Sequence, residues 1–142
     1  MANYYVNEAV FDVTERRFVD KTVHALETKL PSGQTLAVFI HRKPIEGGKS
    51  LRKMVDENIA LNDMRLSGYK VLDQAEANVG GFPGILLRAR WKLEGTTYHQ
   101  RQAHVAVKDK LMIVAVSTPV DDEPACDEAF EGILKTIAWR TE

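Results

Sequence analysis

Ile85-Leu86-Leu87-Arg88-Ala89-Arg90-Trp91-Lys92-Leu93 and Thr96-Thr97-Tyr98-His99-Gln100-Arg101-Gln102-Ala103-His104-Val105-Ala106-Val107 stand on either side of the dipeptide Glu94-Gly95. Two long extended runs joined by an acidic residue and a glycine form a two-residue hairpin. The register then follows. Trp91 faces Tyr98, Ala89 faces Gln100 and Leu87 faces Gln102. On the other side of the ribbon Lys92 meets Thr97, Arg90 meets His99 and Arg88 meets Arg101. One face is therefore cationic, and the other is half apolar and dotted with amides.

Outward from the hairpin, a strand is expected from Tyr69 to about Val79, with Gly80-Gly81-Phe82-Pro83-Gly84 as a turn. An apolar strand Leu111–Ser117 follows the turn near Lys108-Asp109-Lys110. Upstream, strands are expected over Val6–Val13, Phe18–Leu30 and Thr35–Arg42. The core Leu36-Ala37-Val38-Phe39-Ile40 of the last reads as buried on both faces. Ser50 is a good N-cap for a helix to about Leu66, with Leu51, Met54, Val55, Ile59, Leu61 and Leu66 on one broad apolar side. Asp121 or Asp122 is expected to cap a last helix, with Pro124 in its first turn. Cys126, Ala129, Phe130, Ile133, Leu134 and Ile137 form its apolar stripe. Strands, helix, antiparallel strands and helix make an α+β fold, an α/β sandwich with two main helices on an antiparallel sheet.

The chain of 142 residues is expected to form one domain, residues 1–142, and folding removes roughly 70% of the surface of such a chain from water. Nineteen basic against 20 acidic residues, a net charge of −1, exclude a generally basic nucleic-acid binder. One cysteine excludes an intramolecular disulfide framework. The longest apolar run, Leu111–Val116, is far short of the 18–20 residues that a membrane span needs, so no direct membrane insertion is expected. Met1-Ala2-Asn3-Tyr4-Tyr5 carries no secretory pattern, and a cytoplasmic location is the expectation.

Gly47-Gly48-Lys49-Ser50 lies between a strand and a helix as a phosphate loop would. The glycine required five residues before Gly48 is Lys43, however, and Pro44 removes an N–H, so the segment reads as a turn into a helix. His24, His41, His99 and His104 show no metal-ligand spacing, and neither a metal nor another cofactor is expected. No nucleophile elbow is present, and Cys126 belongs to the apolar stripe, so the chain does not read as an enzyme. Two binding surfaces remain. Arg88, Arg90, Lys92, His99 and Arg101 read as a solvated face with carboxylates nearby, or alternatively as a face for an acidic partner; Arg88 opposite Arg101 calls for something acidic between them. On the other face Gln100 and Gln102 stand beside Leu87, Ala89, Trp91 and Tyr98. This is either a groove for a peptide or helix, or a face covered by the final helix.

Tyr5 with Asn7-Glu8-Ala9, Leu36-Ala37-Val38-Phe39-Ile40-His41-Arg42, Ser67-Gly68-Tyr69, Val79-Gly80-Gly81-Phe82-Pro83 and Tyr98-His99-Gln100-Arg101-Gln102-Ala103 occur in an order that resembles the DcrB-like domain. Among such domains the sequence is similar to the Eag chaperones, or adaptors, of bacterial type VI secretion. The resemblance implies a Mog1/PsbP-like sandwich and a non-enzymatic, cytoplasmic homodimer. It also implies that the protein binds and shields N-terminal transmembrane segments of PAAR-domain effectors before loading. By position it implies contacts to client helices from Ala37, His41, Asn58 and Gln102. Ala37 and His41 stand where small hydroxyl side chains are expected. Gln100 and the apolar residues Val23, Val38, Ile40, Met54, Ile59 and Leu61 complete the candidate groove. Gln102→Glu is expected to disrupt client binding and spare the fold.

Overall fold

The computed structural model describes residues 3–5, 10–12, 23–45 and 47–140. Strands β1 (Asn3–Tyr5) and β2 (Val10–Asp12) pair antiparallel as a two-stranded sheet. The remaining strands form a six-stranded antiparallel sheet: β3 (Val23–Lys29), β4 (Thr35–Pro44), β5 (Ser67–Val79), β6 (Phe82–Leu93), β7 (Thr96–Val107) and β8 (Lys110–Pro119). Their spatial order is β3-β4-β8-β7-β6-β5. Helix α1 (Leu51–Arg65) packs over β5, β6 and β7 on one face. Helix α2 (Glu123–Thr136) packs over β7 and β8 on the other, after a 3-10 turn at Val120–Asp122. Of the expected strands Val6–Val13 and Phe18–Leu30, the segments 6–9, 13 and 18–22 lie outside the described residues.

From β5 to β8 the sheet is a meander with two-residue turns. At Glu94-Gly95 both residues take positive φ, 50° and 82°, the conformation a tight hairpin of right-twisted strands requires. The register is the expected one in all six pairs from Leu87↔Gln102 to Lys92↔Thr97. The turn before β6 is shorter than expected. Gly80-Gly81 alone makes it, and Phe82, Pro83 and Gly84 are already strand, paired with Val79, Asn78 and Ala77. Pro83 is accommodated because it stands at the start of its strand.

Gly80 is required on two counts. Its φ is +57°, and a Cβ there would lie 2.6 Å from Trp139 Nε1, which donates to the Val79 carbonyl at 3.0 Å. Gly80→Ala should therefore lower the unfolding free energy by roughly 2 kcal/mol, from backbone strain and the displaced indole. Urea denaturation read by Trp fluorescence checks this; an unchanged midpoint would mean that the C-terminal segment does not hold Trp139 there.

The two faces carry different cores. Under α2, Cys126 and Phe130 meet Leu36, Val79, Ala103, Val105, Val107 and Val116. Under α1, Val55 meets Ile85 and Leu87, and Met54 meets Leu111 and Ile113. The Gly47–Ser50 segment is a turn into α1: Ser50 Oγ accepts from Lys53 N at 3.1 Å, and Lys49 pairs with Glu57 at 3.0 Å. Asp122 stands at the N-cap of α2 but makes no capping bond with its side chain, which accepts from Ser32 Oγ instead.

One expectation about the core fails. Of the β4 run only Leu36 is buried, and Ala37 to His41 are half-buried. The reason is lateral. Both helices sit toward the β5–β8 side, and β3, the edge strand beyond β4, is exposed throughout Val23–Lys29. An apolar run this dense is consistent with a buried strand, but it does not say whether a helix will cover each side.

Candidate functional site

Strand alternation sorts the candidates before any contact is considered. Ala37, Phe39 and His41 of β4, Gln100 and Gln102 of β7, and Ala115 of β8 share the α1 face, linked through the pairs Ala37↔Ser117, Ser117↔Gln100, Phe39↔Ala115 and Ala115↔Gln102. Val38 and Ile40 necessarily point the other way. Val38 packs against the α2 core, and Ile40 lines a hollow of about 660 Å³ with Met112, Val114, Ile137 and Trp139. The structure thus does not bring Val38 and Ile40 to the side chains they were grouped with. Met54 is core, and Ile59 packs on Val55.

On the α1 face the sheet and helix bound a cleft of about 300 Å³. Asn58, Leu61, Asn62 and Arg65 form the helix wall, at the i, i+3, i+4, i+7 spacing of one face. Phe39, His41, Lys43, Ile113 and Ala115 form the floor toward β4, and Gln100, Gln102 and Trp91 the floor toward β6. Trp91 stacks on its cross-strand partner Tyr98 with ring centroids 5.8 Å apart. Four of the expected site residues, His41, Asn58, Gln100 and Gln102, thereby meet in one place, and Ala37 lies on the same face one step beyond Phe39. Phe39 and Ala115 had not been singled out. For Phe39 the signal was available: a strand that points Ala37 and His41 to one side points Phe39 there too.

The cleft floor holds a row of polar side chains. His104 Nε2 lies 2.8 Å from Gln102 Oε1, Gln102 Nε2 donates to Gln100 Oε1, and Gln100 Nε2 donates to Ser117 Oγ at 2.8 Å. His104 is fully buried, and burial, with the charges of Lys43, Arg52 and His41, lowers its pKa from 6.5 to about 4. Burial, with Lys43 second, also pushes His41 below its ordinary value. The imidazoles beside this cleft are thus held toward the neutral form, which suits an apolar occupant. Gln102 is only 3% exposed and lies at the bottom. The expectation that Gln102→Glu spares the fold is therefore corrected, because a carboxylate would lose the donor that Gln100 uses and charge a buried position.

The cationic face differs from its expected form. It is solvated only in part: α2 covers its β7 half, where His99 and Arg101 are buried, with its own carboxylates, while Arg88 and Arg90 stay half-buried and Lys92 exposed. Glu123 pairs with Arg90. Asp127 lies 3.2 Å from both His99 Nε2 and Arg101 Nη1, and Glu131 lies 3.1 Å from Arg101 Nη2. Arg101 is 9% exposed, its guanidinium 4.6 Å from the centre of the Phe130 ring. Burial alone would raise Asp127; hydrogen bonds from His99 and Arg101 and their charges outweigh it and lower its pKa. Arg88 faces Asp73 of β5 at 3.8 Å. The acidic group that Arg88 and Arg101 call for is thus supplied within the chain. The missed signal was Glu123, Asp127 and Glu131 at i, i+4 and i+8, a carboxylate stripe on α2 in step with the arginines.

His99, Cys126 and Asp127 bring potential ligand atoms within 4.8 Å of one another, a juxtaposition no linear spacing suggested. Two observations weigh against a cation there. Arg101 already occupies the carboxylate, and the Cys126 thiol, raised to about 11 by burial, donates to the Val116 carbonyl at 3.2 Å. The same protonated, buried thiol is a poor nucleophile. The hollow beside Ile40 is larger than the cleft, but none of the buried side-chain polar atoms left unpartnered among the described residues lines it.

No helix among the described residues is long and apolar enough to cross a membrane. The sequence is 22% identical over 143 residues to a Pseudomonas aeruginosa protein named Effector EagT6, covering 99% of this chain and 97% of that one, a relationship of low identity to the Eag-type proteins. The fold matches a crystal structure of a Pseudomonas aeruginosa protein of unknown function, PA94, with a TM-score of 0.81 and 20% identity over 99% and 97% of the two chains. It also matches the cyanobacterial PsbP protein CyanoP of Synechocystis, with a TM-score of 0.57 and 12% identity over 79% of each chain, as expected of a Mog1/PsbP-like fold. The DcrB family profile matches residues 8–136, and the chain belongs to the DcrB family.

Proposed function

We propose that this protein is a non-enzymatic chaperone, or adaptor, that shields apolar helical segments of a secreted effector. The observation that carries this reading is the uncovered apolar half of the α1 face. Val23, Ala25, Ala37 and Phe39 have no helix over them among the described residues, and they run into a cleft with Leu61 in its wall and Trp91 in its floor. Each buried Å² of such surface contributes roughly 25 cal/mol to holding an apolar helix. Small Ala25 and Ala37 let a helix backbone approach the sheet, and Phe39 provides a raised apolar contact.

The resemblance to the Eag chaperones, and the relative named Effector EagT6, support as the occupant the N-terminal transmembrane segments of a PAAR-domain type VI effector. The protein would hold them in the cytoplasm, as a homodimer, before loading. The alternative, an acidic partner on Arg88, Arg90, His99 and Arg101, is not favoured, since Arg90, His99 and Arg101 already face carboxylates of α2.

Phe39→Glu tests the cleft without touching either core. It removes apolar contact and places a charge against the client, so retention should fall by about 30-fold, or roughly 2 kcal/mol. The measurement is detergent-free co-purification from the native cells, with mass spectrometry of the bound protein. Full retention by the variant would move the site elsewhere. A wild-type preparation carrying no partner with an apolar N-terminal segment, while the secretion system is expressed, would sink the chaperone reading.

A further inference from the structure

The polar row that begins on the cleft floor has a direction, and the buried imidazole at its inner end sets it, with the Tyr69 hydroxyl also beside Gln102. A glutamine amide presents an oxygen to one neighbour and an NH2 to the other, so a row of two glutamines has two states. In the first, His104 donates from Nε2 to Gln102 Oε1, Gln102 donates to Gln100 Oε1, and Gln100 donates to Ser117 Oγ. In the second every bond is reversed: Ser117 donates to Gln100, Gln100 to Gln102, and Gln102 to a bare Nε2 of His104. The second state forces the proton of the neutral imidazole onto Nδ1.

Nδ1 decides between them. It is buried and makes no hydrogen bond within the protein. In the first state it is an unpaired acceptor; in the second it is an unpaired N–H donor, and buried orphan N–H groups are the rarer of the two in folded proteins. A doubly protonated ring, which would donate from both nitrogens, is disfavoured here by burial and by the charges of Lys43, Arg52 and His41.

The consequence lies at the other end of the row. Ser117 Oγ accepts from Gln100, so its own O–H remains to be donated, beside the second N–H of Gln100. Ser117 is only 8% exposed and Gln102 and His104 are buried too, whereas Gln100 is half-buried and lines the cleft, so the hydrogen left accessible is the second N–H of Gln100. It stands next to Ala37, the Cα partner of Ser117, where a helix can come close.

We infer that His104 is a positioning residue that fixes the row so that the cleft offers an N–H donor at Gln100, and that the occupant is an apolar helix carrying a hydrogen-bond acceptor, a Ser, Thr, Asn or Gln oxygen, at that point. This specificity rests on the chaperone reading; the direction of the row does not.

The test uses the intact protein and two Lys-flanked Leu/Ala peptides of about 20 residues, identical except for a central Ser or Ala. Fluorescence anisotropy should show the Ser peptide bound about threefold to tenfold more tightly, the worth of one hydrogen bond. In His104→Phe, which removes the donor, the ratio of the two peptide affinities should fall to near unity. Equal binding of both peptides by the wild type, or an undiminished preference in the variant, overturns the proposal. Binding of neither peptide overturns the chaperone reading and the occupant with it. A second measurement needs no client and no variant. Long-range ¹H–¹⁵N correlation of the wild type at neutral pH should show His104 as the Nε2–H tautomer, and an Nδ1–H tautomer would reverse the row and sink the assignment.

Discussion

Phe130→Ala should lower the unfolding free energy by about 3–5 kcal/mol, the usual consequence of removing a fully buried aromatic ring. Phe130 is the largest fully buried side chain among the described residues and joins two interactions that hold α2 to the sheet. Its edges meet the apolar group of Ala103, Val105 and Val116, while its face carries the Arg101 guanidinium at 4.6 Å. Truncation leaves a cavity under the middle of the helix and removes the apolar floor beneath a cation whose ion pairs with Asp127 and Glu131 depend on its position. Urea denaturation followed by circular dichroism measures the loss. Met64→Ala, on the exposed side of α1, is the control and should fall within about 0.5 kcal/mol of the wild type. A loss below about 1 kcal/mol for Phe130→Ala would mean that α2 is not docked through this residue.

The second large effect is a loss of stability in acid that comes from His104. Its pKa is about 4 in the folded chain against 6.5 for an ordinary histidine. The unfolded chain therefore binds a proton as the pH drops through 6.5, and the folded chain resists until the pH nears 4. Stability is flat above pH 7 and falls progressively below it, by roughly 3 kcal/mol at pH 4 from this group alone. Asp127, whose pKa is lowered in the folded state, adds a further loss as the pH falls through the carboxylate range. The histidine contribution is isolated by comparing wild type with His104→Phe. The difference in unfolding free energy between pH 7 and pH 4 should shrink by about 3 kcal/mol in the variant, and parallel profiles would place His104 in contact with solvent. The physical origin is the site that makes the residue useful: a ring kept neutral by burial holds one fixed tautomer, and a fixed tautomer gives the amide row its direction.

The hairpin was fully legible because it is local. Glu94-Gly95 sets the turn, the turn sets the register, and the register places Gln100 and Gln102 on one face and the cations on the other. The capped start of α1 at Ser50 was legible for the same reason. The sequence by itself therefore determined the α+β order, the alternation along each strand and the residue types available to a site. It did not determine which helix covers which face, or how far along the sheet. Each helix carries apolar residues on one side, strongly in α2 and weakly in α1, so the pattern alone left open which would lie over the amides. Tertiary structure decided the matter by charge and shape together. The α2 carboxylates at 123, 127 and 131 meet Arg90, His99 and Arg101, and Cys126 and Phe130 of the same helix find the valine-rich face beneath them. That choice leaves α1 to border the amide face and leaves β3, and the Ala37–Phe39 stretch of β4 on that face, without a covering helix among the described residues. The cleft exists because two helices cannot cover both faces of a six-stranded sheet, and where the uncovered part falls is a property of packing between segments far apart in the chain.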